Sequence, residues 1–196
     1  MRFEPRSTLL IDVPERIETE RLVIRCPRAG DGAAYHEAIT DSIETLKPWL
    51  PWANDAQSVE VSEAQSRKFH AMFIARTDLV FALFKRGADG REGRLLGGSG
   101  LHRIDWQLRR FEIGYWIRSS HLGRGLVSEA VQSLAGMAFE TLQARRVEIR
   151  CDVRNERSAR VAERCGFELE GTLRRDALDV QGQPRDTRVF ARIAPS

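Results

Sequence analysis

Between Phe111 and Ala130 the chain reads FEIGYWIRSSHLGRGLVSEA, a strand-like run that passes through a glycine-punctuated turn directly into an amphipathic helix. That order of elements makes an anion site. The backbone N–H groups from Gly123 to Val127 have no intrahelical partner at a helix start, and the positive end of the helix dipole adds to them. Gly123 and Gly125 allow close approach of a diphosphate, Arg124 supplies charge, and Leu126, Val127 and Ser128 continue the donor row into the helix. Taken alone, a Gly-x-Gly step serves equally well as a tight turn. Two other phosphate motifs fail, because the residues after Gly123 give neither the last glycine of GxGxxG nor a GK[ST] ending. The Gly97-Gly98-Ser99-Gly100 run lies inside a strand, where glycines mark a bulge or close strand packing.

Two side chains near this segment could take up a proton. Glu112 lies off the Phe111/Ile113/Tyr115 face and shares a strand face with Gly114 and Trp116. It is either a base pointing inward or a solvent-facing strand glutamate. His102 has a suitable intrinsic pKa but also reads as an ordinary packed or surface histidine. The three cysteines, Cys26, Cys151 and Cys165, form no CxxC pair, and the four histidines show no HxxxH or HxH spacing. These patterns argue against a disulfide framework and predict no metal site.

The elements that must position these groups are legible in the periodicity. Arg21 to Cys26 predicts a first strand, Asp31 to Leu46 a helix ended by Pro48, and Ser58 to Ala75 a second helix whose Val61, Ala64, Lys68, Phe69, Met72 and Phe73 make its inner stripe. Leu79 to Lys85, Leu95 to Ile104 and Arg110 to Arg118 predict an antiparallel meander. Val127, Val131, Leu134, Ala138 and Leu142 mark one face of the next helix. Arg146 to Val153 alternates as a half-buried strand, and Asn155 to Cys165 forms a short helix capped by Gly166. Two strands, Phe167 to Leu173 and Thr187 to Ile193, flank a turn at Gln181-Gly182. The fold class is α/β (α+β), with strands joined both by hairpins and through helices.

With 196 residues the chain suits one domain, a core over about residues 17–193 preceded by an extension over 1–16. Its net charge of +3 and pI of about 9.0 come from dispersed arginines, with no basic block, so no direct nucleic-acid binding is expected. No apolar run approaches the roughly 18 residues that span a bilayer. Met1 to Arg16 lacks the apolar core of a secretory signal, so a cytoplasmic location and no membrane partner are expected.

Several ordered motifs resemble the GNAT superfamily of acetyl-CoA-dependent N-acetyltransferases. Ser120-His121-Leu122-Gly123-Arg124-Gly125 is similar to that family's Q/R-x-x-G-x-G/A diphosphate loop, with Ser120 departing from the usual first residue. Asn155-Glu156-Arg157-Ser158, Cys165-Gly166-Phe167 and Glu170-Gly171 resemble the N-x-x-S…GF…EG run of the RimJ/RimL-like branch, the N-terminal acetyltransferases of ribosomal proteins. Glu18-Thr19-Glu20-Arg21-Leu22, Trp49-Leu50-Pro51-Trp52 and Arg185-Asp186 are similar to the same branch, so the resemblance covers about residues 17–193.

The resemblance implies a mostly antiparallel sheet splayed between its fourth and fifth strands, here Arg110 to Arg118 and Arg146 to Val153. Acetyl-CoA would lie in the gap as cosubstrate. Backbone groups around Trp116, Ile117 and Arg118 would hold the pantetheine together with the Asn155 amide, and the turn from Gly123 to Ser128 would hold the diphosphate. An amine must attack as the free base, and a primary alkylamine has a pKa of about 10.4, so Glu112, His102 or a water chain is expected to remove a proton. An N-terminal amine, with a pKa of about 8, needs less help. Backbone N–H groups near Ile117 would serve the oxyanion and Ser158 the departing thiolate, unless it is a plain helix-start serine, with Tyr115 either an alternative donor or a packed core residue. Cys165 reads as a packed small hydrophobe and Glu129 as a structural carboxylate. Trp49 and Trp52 either line the acceptor mouth or pin the loop between two helices, and His102 is expected beside them at the acceptor.

The implied reaction is direct transfer in a ternary complex to a protein or peptide α-amino group. The alternatives are a small-molecule amine as acceptor, or a CoA-binding sensor without catalysis. The protein would act as a monomer or homodimer.

Overall fold

The computed structural model describes residues 7–53 and 57–194. The expected N-terminal extension therefore falls partly outside the described residues, and the part described carries a 3-10 turn at Thr8–Leu10. Strands β1 (Arg16–Glu18) and β2 (Leu22–Arg25) open the chain, followed by helices α1 (Gly32–Thr40), α2 (Ile43–Leu46) and α3 (Val59–Ile74). The meander β3 (Leu79–Arg86), β4 (Glu92–Asp105) and β5 (Arg110–Ile117) leads into α4 (Leu126–Glu140), β6 (Arg146–Asp152), α5 (Glu156–Arg164), β7 (Glu168–Leu178) and β8 (Pro184–Ile193).

These strands form one sheet in the order β1-β2-β3-β4-β5-β6-β8-β7, antiparallel except where β5 meets β6. The parallel pair holds only over Arg110/Arg146, Phe111/Val147 and Glu112/Glu148. Beyond Glu112 the two strands part, and β6 pairs on its other side with β8 as far as Asp152. The splay thus lies between the two strands expected. The short strand Arg16–Glu18, too brief for a periodicity reading, makes them fifth and sixth in the count.

Both faces of the sheet are covered. Leu79 to Phe84 is buried at every position, so no alternation shows in the sequence of β3. Below it, α4 buries Val131, Leu134 and Ala138 of the expected stripe against Phe81, Phe111 and Val147. Above it, α1 sets Tyr35 and Ala38 over Val23, Ala82, Phe84 and Leu95. Gly166 closes α5 at φ +75°, with Phe167 N–H donating to Ala162 O at 3.0 Å, as a left-handed cap requires.

Two helical expectations are corrected. The helix expected over Asp31–Leu46 is two helices, because Asp41 and Ser42 leave it to meet β5. Asp41 takes the Arg118 guanidinium at 2.5 Å, and Ser42 Oγ accepts the Ser119 N–H at 3.0 Å. On α3 the buried face carries Ser62, Ser66 and Phe73, while Val61 is exposed. The reason is a close helix crossing. A Cβ at Gly32 would lie 2.5 Å from the Glu63 backbone, so α1 approaches α3 where only small residues fit, and Val61 is left outside the contact.

Candidate active site

The splay leaves a strand edge open inside the molecule. Arg118 N–H donates to Leu96 O at 2.7 Å, and hydrogen-bonded positions alternate along an antiparallel pair, so Trp116 and Gly114 also turn their peptide groups toward β4. Ile113 closes the paired stretch at Glu148, and Tyr115 and Ile117 then face the gap, where β6 has moved out of reach. A cleft of about 370 Å³ runs along this edge, with β5 on one side and Ile149 to Asp152, Asn155 and Ser158 on the other.

At one end the cleft opens onto the turn before α4. Gly123 and Gly125 sit at φ +73° and +75°, where a side chain is strained. Glu129 N–H to Gly125 O is the first bond of α4, so the N–H groups of Leu126, Val127 and Ser128 find no partner within the helix. Arg21 holds the turn in place, donating to Arg124 O at 2.8 Å and to Glu129 Oε2 at 2.6 Å, while Thr19 Oγ1 donates to Glu129 Oε1 at 2.5 Å. Burial alone would raise the Glu129 pKa, but these bonds outweigh it and lower it, so Glu129 is a brace of the turn.

The adjoining pocket, about 460 Å³, is bordered by Arg124 and by Arg157, Arg160 and Arg164 from α5. None of these four makes an ion pair with a described residue, unlike most arginines of the chain. Such a set, facing a row of orphan N–H groups, favours a polyanion. Sequence reasoning missed the three arginines of α5, although their i, i+3, i+7 spacing is a visible signal. Ser120 places its hydroxyl 2.9 Å from His121 Nδ1.

Across the cleft, Asn155 caps α5 by accepting the Ser158 N–H at 3.0 Å, and Tyr115 Oη lies 2.9 Å from Ser158 Oγ and donates to Ser158 O at 3.0 Å. Tyr115 is therefore no plain core residue, because its ring packs on the core while its hydroxyl reaches the cleft wall. Burial raises its pKa and keeps it a neutral donor. Cys165 is buried with its Sγ 3.5 Å from Ser128 O, and burial raises its pKa too, so it carries little thiolate.

Glu112 stands at the vertex, the last residue of β5 paired to β6. Its side chain is 17% exposed and lines the cleft. Its Oε2 lacks a hydrogen-bond partner among the described residues and has only Arg103 Nε at 3.5 Å. Burial raises its pKa, aided by Glu148 and opposed by Arg103, Arg150 and His102.

The expected acceptor residues divide between two pockets. Trp49 lines the main cleft, whereas Trp52 and His102 line a second pocket between α1, α3 and the sheet. Trp116 stands between Tyr35 and Trp52, with ring centroids 6.3 and 5.9 Å away, and a Cβ on Gly98 would meet its Nε1 at 2.6 Å. Gly97 and Gly98 thus serve close packing. The Trp116 peptide groups face β4 and its indole forms the wall. Arg118 is engaged on the same side. Its N–H is spent on Leu96 and its O accepts from His121 N–H at 2.9 Å, while the side chain, 0% exposed, donates to Leu95 O and Asp41. It ties α1 to β5 behind the cleft. Among the described residues no group of His, Cys, Asp and Glu could hold a metal ion, and no helix is long and apolar enough to cross a membrane.

The family model described as an acetyltransferase (GNAT) domain matches residues 21–168. The chain belongs to the GNAT acetyltransferase family. Among GNAT relatives, a ribosomal-protein-serine acetyltransferase of Escherichia coli (strain K12) is 32% identical over 162 residues, 76% of this chain and 82% of that protein. A ribosomal protein uS5-alanine N-acetyltransferase of the same strain is 28% identical over 94% of both chains. In fold, the chain is similar to a ribosomal L7/L12 alpha-N-protein acetyltransferase, RimL, solved in complex with coenzyme A, with a TM-score of 0.83 at 24% identity over 92% of this chain and 98% of that one. The GNAT fold thus accounts for the splayed sheet and for the turn that opens α4.

Proposed function

We propose that the protein moves an acetyl group from acetyl-CoA to the α-amino group of a protein or peptide N-terminus. The observation that carries this reading is the continuity of the cleft, an open strand edge running from the orphan N–H groups at α4 to the carboxylate at the vertex. These residues fit acetyl-CoA as cosubstrate. The α4 turn and the arginines of α5 suit its phosphates, and the open peptide groups of Tyr115 and Ile117 suit the amides of its pantetheine arm. The thioester supplies the activated acetyl group.

The chain's own residues then manage protons. An N-terminal ammonium, with a pKa of about 8, gives one proton to Glu112, whose buried position keeps it basic enough to accept it. The amine lone pair forms the C–N bond as the C–S bond breaks, and a backbone N–H on the open edge near Ile117 is directed at the carbonyl oxygen. The second amine proton returns to Ser158 Oγ as that hydroxyl gives its own proton to the departing sulfur, with Tyr115 Oη 2.9 Å away holding the Ser158 hydroxyl in place. Products are the amide, CoA thiol and one proton.

The named relatives act on ribosomal proteins, so this reading takes a ribosomal protein as acceptor and the cytoplasm as location. Mass spectrometry tests it. The protein is incubated with acetyl-CoA and a panel of N-terminal peptides, ribosomal proteins, polyamines and amino acids. Peptide N-termini gaining one acetyl group with release of CoA are expected. Modification of free amines alone would move the assignment to small molecules.

Two variants separate binding from transfer. Ser158→Ala is expected to lower kcat by about 10- to 100-fold with the Kd for acetyl-CoA held within a factor of about three. A loss confined to Kd would make Ser158 a positioning residue. Arg160→Glu is expected to weaken acetyl-CoA about tenfold at low salt and less at high salt, because an exposed charge is screened. An unchanged Kd at low salt would remove α5 from the phosphate site.

A further inference from the structure

The second pocket has a chemistry of its own, and its role rests on the acetyltransferase reading of the cleft beside it. The pocket measures about 390 Å³, within the range of roughly 300–1,000 Å³ common for small-ligand sites. Its walls include Tyr35, Ile39, Trp52, Phe69, Val80 and Trp116, and among the described residues its lining holds no Asp, Glu, Lys or Arg. The main cleft, by contrast, presents Glu112, Arg150, Asp152, Arg157 and Arg185. The two spaces adjoin, since Leu50, Gly114, Tyr115 and Trp116 line both. A group held in the pocket therefore lies beside the open edge of β5.

One polar side chain is aimed at that junction. His102 Nδ1 lies 2.7 Å from Asp78 Oδ1. A carboxylate accepts only, so Asp78 takes the Nδ1 proton and leaves Nε2 with its lone pair. The ring lies over two glycines. A Cβ on Gly114 would come 3.2 Å from Nε2, and one on Gly100 would come 2.9 Å from it. The missing side chains leave Nε2 at the shared wall as an acceptor for an N–H group.

We infer that this pocket selects the acceptor by the side chain next to its amine. An uncharged, apolar or aromatic first residue of a peptide enters between Phe69, Trp52 and Trp116, and His102 Nε2, oriented by Asp78, accepts one N–H of the α-amine at Gly114. A charged first residue loses hydration there and meets no opposite charge among the described lining, only neutral polar groups such as Gln57 and Ser62. His102 is thus a substrate contact and Asp78 a positioning residue that acts through it.

The test uses the full chain with acetyl-CoA and peptides that differ only in their first residue, Phe, Leu, Ala, Asp or Lys, with CoA release as readout. The expected kcat/KM for Phe and Leu exceeds that for Asp and Lys by at least about tenfold. Asp78→Asn is expected to raise KM for the Phe peptide about tenfold, with kcat within about threefold and the acetyl-CoA Kd unchanged by calorimetry. Gln65→Trp, at the half-buried rim of the pocket, is expected to abolish the Phe preference and spare the Ala peptide. Equal turnover of all five peptides, or a preference for Asp or Lys, would overturn the pocket's role while leaving the acetyltransferase reading intact. No peptide turned over, but phenethylamine acetylated well above putrescine, would uphold the apolar pocket and overturn the protein acceptor. A KM unmoved in Asp78→Asn would remove Asp78 and its hold on His102.

Discussion

Gly125→Trp is expected to weaken acetyl-CoA binding by more than about a hundredfold while the protein still folds. Gly125 is the residue before α4, at φ +75°, and a residue with a side chain held there costs about 1–2 kcal/mol. That strain is small beside the stability of about 5–15 kcal/mol usual for a domain. A Cβ at this position meets only Arg21 Nη2, at 3.5 Å, the flexible end of a side chain. The indole must then occupy the mouth of the turn, where the N–H groups of Leu126, Val127 and Ser128 are without helical partners. Calorimetry gives the affinity and circular dichroism melting the fold. Gly125→Ala separates the causes, because it carries the same backbone strain without the bulk and is expected to lose far less affinity. Unchanged binding in the Trp variant would remove the phosphate-turn assignment.

The features legible in the sequence are those local along it. The strand, turn and helix around Gly123 and Gly125, the apolar stripe of α4 and the cap at Gly166 each lie within one or two elements, and each is where the spacing placed it. Arg118 shows the opposite case. One residue past a strand and just before a phosphate-type turn, it reads as part of the cleft. Its partner Asp41 lies 77 positions earlier, and nothing local reports that pairing. The same distance hid the break between α1 and α2, since Asp41 and Ser42 leave the helix for contacts with β5 that propensity does not register.

Asp78, just before β3, and His102, on β4, are likewise 24 residues apart and become a pair only when β3 and β4 are in register. The buried serines of α3 depart from an apolar-stripe reading because backbone proximity at Gly32 outweighs side-chain hydrophobicity at that crossing. In each case the deciding term is a close approach between elements distant in sequence. Where a feature is built from one continuous segment it was legible, and where two distant segments meet, as at Asp78 and His102, the pairing was not.

Glu112→Gln is expected to lower kcat by about 10²- to 10⁴-fold, the range that a general base contributes, and to remove the acid limb of the pH profile. The sign is set by burial. Burial raises the Glu112 pKa, so in the wild type turnover should fall as pH drops through a point above that of an exposed glutamate. Stability should move the other way. A carboxyl whose folded pKa exceeds its unfolded one stabilises the fold below the unfolded pKa, and that contribution is lost as pH rises through the folded value. The ionised form of Glu112 is thus buried with only Arg103 Nε, at 3.5 Å, as ion-pair partner and with Oε2 short of a hydrogen bond among the described residues. Glutamine removes that charge at nearly constant shape, so the variant should melt at a higher temperature than the wild type at pH 7, and the gap should close in acid. A site that gives up stability for reactivity predicts this pairing of lost turnover and gained Tm. Lost turnover without the gain in Tm would make the charge well solvated and its pKa ordinary. An unchanged pH profile would pass the proton to His102 or to water.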